Sequence, residues 1–310
     1  MARIVISEFI DERAVAALRA GGHDVLHDAT LVDDAPRLIV EAARADGLIV
    51  RNRTQLRGEL LAQATRLRVV GRLGVGLDNI DVAACEARGI RVIPATGANA
   101  RSVAEYVVAT AMLLLRGAYR STAEVAAGAW PRNALIQGRE VGGKTMGLVG
   151  FGAIGQLTAR LALGVGMQVL AYDAMLAPDH AAFSTDGVRR CATLDELCAA
   201  SDAVSLHVPL LESTRRLFDA ARIATMKRGA ILINSARGGV LDEAAVAAAL
   251  KSGRLGGAAL DVFEAEPLPA GSVLADCPNL LLTPHIAGVS IESNERVSAL
   301  IAQRVLEALR

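Results

Sequence analysis

Gly150, Gly152 and Gly155 lie in the stretch from Lys144 to Gly155, Lys-Thr-Met-Gly-Leu-Val-Gly-Phe-Gly-Ala-Ile-Gly, and give the spacing G-x-G-x-x-G. That spacing has chemical meaning between a strand and a helix. There the first glycine permits a tight turn, the second lets backbone approach a pyrophosphate, and the third lets the helix pack close to the strand. Both neighbours are expected: Met146 to Val149 form an apolar run, and Ile154, Leu157 and Leu161 recur at helical spacing until Gly164 and Gly166 close the helix. The helix start at Ala153 and Ile154 then offers free N–H groups to phosphates. Asp173 ends the next apolar run, Val169 to Tyr172, eighteen residues past Gly155. Its carboxylate suits a ribose diol, and no arginine follows closely to receive a 2′-phosphate, so NAD is expected rather than NADP.

Four more apolar runs end in polar or glycine-bearing segments. Ala203 to Leu206 leads into His207-Val208-Pro209-Leu210, and Ala230 to Ile233 into Asn234-Ser235-Ala236-Arg237-Gly238-Gly239. Gly257 to Leu260 ends in Asp261, with Glu264, Glu266 and Pro267 beyond it, and Leu280 to Leu282 ends in Thr283-Pro284-His285. Open parallel sheets bind ligands beyond the carboxyl ends of their strands, so the joint occurrence of these segments outweighs the ordinary structural reading of any one. A nicotinamide moves hydride, and a carbonyl partner then needs a proton at its oxygen. Histidine suits that task near neutral pH, which selects His285. Glu266 is available to hold the other ring nitrogen and favour the imidazolium, and Arg237 to grip the carboxylate of a 2-oxo acid with its planar fork. Asp261 is expected to anchor the nicotinamide carboxamide.

The elements that must position these residues form two alternating series. The first has strands at Ile4–Ile6, His23–Leu26, Leu48–Val50, Leu67–Gly71 and Ile90–Ile93. Between them come helices at Asp11–Ala20, Ala35–Ala45, Leu56–Ala64 and Val82–Arg88. It reads as a small open parallel sheet with helices on its faces. Two of its strand ends look chemical. One is Arg51-Asn52-Arg53-Thr54; the other, Gly71 to Asn79 with Arg72, has glycines spaced so that the amides near Val75 and Gly76 form an anion nest for a substrate carboxylate. Asn99 to Arg116 is an apolar helix expected to be buried on most sides as it passes between two domains. Gly117 to Gly143, with the only tryptophan Trp130 beside Arg132, reads as an arm, suited to a subunit contact or to packing on its own domain.

Composition narrows the class. Lys plus Arg equals Asp plus Glu at 33 each, so no basic field invites nucleic acid and small soluble partners are expected. Cys85, Cys191, Cys198 and Cys277 lack C-x-x-C spacing or clustered histidines, so neither a disulfide framework nor a metal site is indicated, and reduced thiols fit a cytoplasmic protein. Arg3, Glu8 and Asp11 around a short apolar run are unlike a signal peptide, and the uncharged stretch Tyr106 to Leu115 is too short to span a bilayer.

Together the glycine loop with Asp173, the His207 to Leu210 run with Thr214, residues 234–239, Asp261-Val-Phe-Glu-Ala-Glu-Pro and Thr283-Pro-His285 resemble the D-isomer-specific 2-hydroxyacid dehydrogenase family. The likeness is strongest to its phosphoglycerate dehydrogenase branch, through Val50 to Thr54, Gly71 to Asn79 and Ala95 to Glu105. It covers nearly the whole chain. The resemblance implies two doubly wound parallel α/β domains, a Rossmann NAD-binding domain (99–285) inserted into a flavodoxin-like substrate domain (1–98 and 286–310). It also implies a homodimer built through residues 99–143, with an arm at about 117–143. The family's catalytic trio falls on Arg237, Glu266 and His285. Its cofactor contacts fall on Val75, Ala153, Ile154, Asp173, Val208, Ser235, Ala236, Arg237, Asp261 and His285 to Gly288, and His207, Pro209 and Thr214 are grouped with them. Arg51, Asn52, Arg53, Arg72, Asn99 and Arg132 fall toward the substrate, Arg132 from the second subunit, which suits a second anion such as phosphate or sulfonate. Many phosphoglycerate dehydrogenases carry a C-terminal regulatory extension, whereas this chain ends at Arg310, so serine feedback through such a domain is not expected. Phosphoglycerate, sulfolactate and hydroxypyruvate or glyoxylate are all family substrates. The competing reading is a non-catalytic NAD(H) sensor like the corepressors of this fold, disfavoured because the whole trio is kept.

Overall fold

The computed structural model describes residues 1–310. Its chain divides into two compact units, Met1–Asn99 with Val289–Arg310, and Ala100–Gly288.

The first unit holds strands β1 (Arg3–Ile6), β2 (Asp24–His27), β3 (Gly47–Val50), β4 (Val69–Arg72) and β5 (Arg91–Pro94). Between them run helices α1 (Glu12–Ala20), α2 (Ala35–Ala42), α3 (Gly58–Gln63) and α4 (Val82–Ala87). All strand pairs are parallel in the order β2-β1-β3-β4-β5, the flavodoxin-like arrangement. Because helices cover both faces, the strands are apolar on both sides. Ile4, Ile6, Ile49 and Val69 pack on one side, with α1 and the C-terminal helix. Val5, Leu48, Val50 and Val70 pack on the other, with α2 to α4. Gly71 is glycine because a Cβ there would overlap Ile301 and Val305 of that C-terminal helix.

The second unit holds α5 (Ala100–Arg116), α6 (Thr122–Ala126), β6 (Thr145–Val149), α7 (Ala153–Gly164), β7 (Gln168–Tyr172) and β8 (Val188–Arg190). It continues with α8 (Leu194–Ala200), β9 (Ala203–Leu206), α9 (Ala220–Thr225), β10 (Ala230–Asn234), α10 (Glu243–Lys251), β11 (Leu255–Leu260) and β12 (Leu280–Leu282). The final helix, α11 (Ile291–Leu309), belongs to the first unit. The seven strands run parallel in the order β12-β11-β10-β9-β6-β7-β8. Renumbered from β6, that is the Rossmann order with one added edge strand, and its reversal lies between β6 and β9. Helices α8 to α10 cover one face, and α5 with α7 the other. Side-chain caps start several of these helices: Thr193 accepts from Glu196 N in α8, and Asp242 from Ala245 N in α10.

Helix α5 is buried on most sides as expected: nine of its seventeen residues are buried, with Val103, Val107, Ala111 and Leu114 among them, and Arg101, Glu105, Ala109, Met112 and Arg116 form a single exposed stripe. One sequence expectation changes. The sequence runs gave six strands here, whereas β8 is a seventh, three residues with two arginines paired to β7 at the sheet edge. Elsewhere the expected elements are present with ends shifted by a few residues, as for α2, which stops at Ala42 rather than Ala45.

Candidate active site

At the end of β6, Gly150 takes φ +93°, and a Cβ there would lie 2.7 Å from the His207 carbonyl oxygen. A Cβ on Gly155 would overlap the Gly150 carbonyl, so this glycine lets α7 close onto the turn. Gly152 differs, because a Cβ there would meet no atom within 4 Å. The amides of Ala153, Ile154 and Gly155 in the first turn of α7 have no acceptor in the chain, and Gln156 N is the first to bond back, to Gly152 O. Open space beside free N–H groups is what a pyrophosphate requires. Asp173, at the end of β7, accepts from Phe151 N (2.7 Å) through one oxygen and from Met175 N and Leu176 N through the other. It thus holds the glycine loop while keeping room for one more donor among about four acceptor sites.

Across the sheet reversal, His207 N bonds Val149 O at the end of β6. The imidazole Nε2 of His207 and the Ser235 hydroxyl, which follow the adjacent strands β9 and β10, are buried without a partner. Burial pushes the His207 pKa down to about 4, so the ring is neutral. These two polar atoms, at neighbouring strand ends, are left free for a further hydrogen-bond partner. Val208 packs beside Gly150. Thr214 donates to Pro209 O and accepts from Leu211 N, which ties the 207–211 turn to itself.

Asn234 closes β10 and shapes the next loop. Fully buried, it donates to Arg237 O (2.9 Å) and accepts from Ala236 N (3.1 Å). Arg237 Nη1 donates to Ala236 O. A Cβ on Gly238 would overlap Phe263 O, so the arginine loop lies directly against the segment after β11. There Phe263 N donates to Glu266 Oε1 (3.1 Å), and Glu266 Oε2 lies 2.8 Å from His285 Nδ1. The three residues singled out for catalysis therefore sit on loops that touch in sequence. With a carboxylate at Nδ1, that nitrogen carries a proton and Nε2 is the one left for exchange.

His285 has φ +57°, a left-handed conformation that costs a residue with a side chain about 1–2 kcal/mol. Asp261 is what sustains it. Its carbonyl accepts from His285 N, and its nearly wholly buried carboxylate accepts from Thr283 Oγ1 (2.6 Å), Ile286 N (2.8 Å) and Ala287 N (2.8 Å). Asp261, from which a carboxamide anchor was expected, is in the structure a bracket for the His285 backbone, with about one acceptor site to spare. Gly288 ends this unit.

In the first unit, Arg51 donates to Asn294 Oδ1 (2.9 Å) and stacks over Phe9, and burial lowers its pKa from the ordinary arginine value. Arg53 is exposed and paired with Asp33, and Asn52 is exposed beside it. The Arg72 guanidinium occupies the space where a Gly74 Cβ would stand. The Val75 and Gly76 amides make no hydrogen bond within the chain, as an anion nest requires. Asn99 Oδ1 is buried without a partner. In the second unit, Arg132 is exposed and unpaired. Sequence reasoning passed over Glu8, taken only as a charge near the N-terminus. Buried at the end of β1, it accepts from Arg51 N (2.8 Å), Thr54 N (3.0 Å) and Arg53 N (3.2 Å). Asn79, quoted in the sequence only as the end of the Gly71 to Asn79 run, donates its amide to Arg51 O and Thr54 O. An acid just past an N-terminal strand was the available signal.

The sequence model described as "D-isomer specific 2-hydroxyacid dehydrogenase, NAD binding domain" matches residues 108–287, which span the glycine loop, Arg237, Glu266 and His285. The chain belongs to the D-isomer specific 2-hydroxyacid dehydrogenase family. This dehydrogenase is 55% identical over 309 residues to the (S)-sulfolactate dehydrogenase of Chromohalobacter salexigens, covering 100% of this chain and 99% of that one. It is 36% identical to the D-3-phosphoglycerate dehydrogenase of Methanocaldococcus jannaschii, covering 100% of this chain but only 58% of that longer protein. A crystal structure of a Thermus thermophilus protein superposes with a TM-score of 0.88 at 34% identity, covering 99% of this chain and 96% of that one. This dehydrogenase is an NAD-dependent oxidoreductase of 2-hydroxy acids. No helix in it is long and apolar enough to cross a membrane.

Proposed function

We propose that this dehydrogenase interconverts a three-carbon 2-hydroxy acid bearing a second anion with its 2-oxo acid, sulfolactate and 3-sulfopyruvate being the preferred pair. The 55% identity along the whole chain to a sulfolactate dehydrogenase carries the choice. Arg72 and Arg132 support it, together with Arg51 and Arg53 once the substrate anion displaces their present partners Asn294 and Asp33, and Asn52, Asn99 and the Val75–Gly76 amides are further substrate contacts, because guanidinium groups grip sulfonate or phosphate well. Ala100–Gly288 serves as the NAD domain, and the other unit as the substrate domain.

When bound, NAD supplies or accepts the hydride. The amides at the start of α7 hold its phosphates, and Asp173 accepts from its ribose. Val208, His207, Ser235 and Asp261 line the remaining contacts. Arg237 fixes the substrate carboxylate and polarises the adjacent carbonyl. His285 delivers the proton from Nε2 to the carbonyl oxygen and takes it back in the reverse direction, while Glu266 holds the ring at its Nδ1 side. The chain acts as a cytoplasmic homodimer through residues 117–143, where Tyr119, Trp130 and Ile136 are exposed.

The test compares kcat/KM for 3-sulfopyruvate, 3-phosphohydroxypyruvate, hydroxypyruvate and glyoxylate at low and high salt, alongside H285Q and E266Q. The expected order places 3-sulfopyruvate first, with a salt-sensitive KM. H285Q should lower kcat by about 10² to 10⁴ while NAD affinity holds. Equal use of the uncharged-tail acids, with no loss on Arg53→Ala or Arg132→Ala, would sink the second-anion reading.

A further inference from the structure

We infer that Tyr106 and Thr283 are positioning residues for His285, acting through Asp261 as a hydrogen-bonded chain anchored on helix α5. The inference rests on the reading of His285 as the proton-transfer residue and adds to it a device that sets where that proton is held.

Residues 283, 285, 286 and 287 all bond to Asp261: the Thr283 hydroxyl and Ile286 N to Oδ1, Ala287 N to Oδ2, and His285 N to the carbonyl. One buried side chain thus brackets His285 from both sides and keeps it left-handed. With a backbone N–H on each oxygen, the carboxylate is the acceptor, and the single proton of Thr283 is committed to it. The Tyr106 hydroxyl, 2.8 Å from Thr283 Oγ1, must then be the donor to Thr283. The chain has one direction: Tyr106 to Thr283 to Asp261. Burial raises the Tyr106 pKa further, which keeps the phenol a donor.

The anchor is rigid. Helix α5 is seventeen residues long and packs with α7 on the seven-stranded sheet. Two separate holds therefore act on His285. Glu266 fixes the ring from its Nδ1 side, and the chain fixes the backbone that carries the ring. Without the Thr283 hydroxyl, Asp261 keeps the amides of Ile286 and Ala287 but loses its one side-chain donor, the link to helix α5, and its hold on the 285–287 backbone loosens. Displacement of a reacting group by about 1 Å costs on the order of 10²-fold in rate.

The experiment measures kcat, KM for NADH and for the 2-oxo acid, and the pH profile of kcat for T283V, T283S, Y106F, the T283V/Y106F double variant and H285Q. T283V should lose about ten- to a hundredfold in kcat and shift the pH profile, with KM for NADH changed by less than about threefold. T283S should recover most of the loss. Y106F should lose less than T283V, in the same parameter, and the double variant should be no worse than T283V, because Tyr106 acts only through Thr283. The inference is overturned if T283V or Y106F keeps the original kcat and pH profile, if T283S fails to rescue, or if the loss falls in KM for NADH alone. Should T283V not fold, Y106F and T283S decide by the same criteria. An inactive H285Q beside normal T283V and Y106F removes this inference only, whereas a fully active H285Q removes the proton-transfer reading beneath it.

Discussion

Gly150 and Gly155 are surrounded by chain atoms, while Gly152 faces open space with an ordinary φ of −74°. Substitution should therefore separate folding from cofactor binding within one motif. Gly150→Ala and Gly155→Ala force overlap with backbone carbonyls and should destabilise by about 1–3 kcal/mol, read as a lower Tm. Gly152→Ala should leave Tm nearly unchanged yet weaken NAD by roughly tenfold, about 1.4 kcal/mol, by titration calorimetry. Equal effects at all three positions would mean that Gly152 is needed for the fold. His207 offers a second residue-level test. Its pKa falls from 6.5 to about 4 through burial, with no charged neighbour contributing. As pH drops, the unfolded chain takes up this proton first. The stability that the neutral ring contributes is complete above about pH 6.5 and lost progressively toward pH 4, at about 1.4 kcal/mol per unit. Urea unfolding of wild type and His207→Asn at pH 7 and pH 5 should show a smaller loss on acidification in the variant. A loss equal to wild type would show that His207 is already exposed to solvent.

Among the elements, the 51–54 loop after β3 depends on a residue that follows the neighbouring strand β1. Glu8 takes three of its N–H groups, so Glu8→Ala leaves buried donors unpaired and should cost about 1–3 kcal/mol, measured by urea unfolding. The KM for the 2-oxo acid should rise while KM for NAD stays put, because the glycine loop belongs to the other unit. The same loop shows how far sequence carries. Arg51 and Arg53 were visible as residue types, and the glycine loop, Glu266 and His285 as ordered motifs. Glu8 was not, because a buried carboxylate that organises backbone looks in sequence like any surface acid, and Asn79 was visible only as the end of the Gly71 to Asn79 run, without its role. Periodicity located strands buried on both faces but passed over β8, whose Val-Arg-Arg is half exposed at an edge. Thr283 was legible in Thr-Pro-His, but its tie to Tyr106, far away in sequence, needed coordinates.

For the molecule as a whole, the arm after α5 exposes Trp130 (79%), Ile136 (71%) and Tyr119 (66%), more apolar surface than a chain working alone is expected to leave in one segment. Trp130→Glu should yield monomers by sedimentation velocity. Because Trp130 is the only tryptophan, its emission in wild type should shift to the red on dilution through the dissociation range. A wild type that sediments as a monomer at micromolar concentration would end the dimer reading. Helix α11 also bears on how the protein is made. Ile301 and Val305 complete the face of the five-stranded sheet formed by Ile49, Val69 and Gly71, yet the whole of Ala100–Gly288 is translated in between. At about 5–20 residues per second, ribosomes leave that face uncovered for roughly ten to forty seconds on every nascent chain. The unit started first is finished last, so chaperone demand during synthesis should fall on residues 1–99, and codon choice across the intervening segment sets how long it lasts.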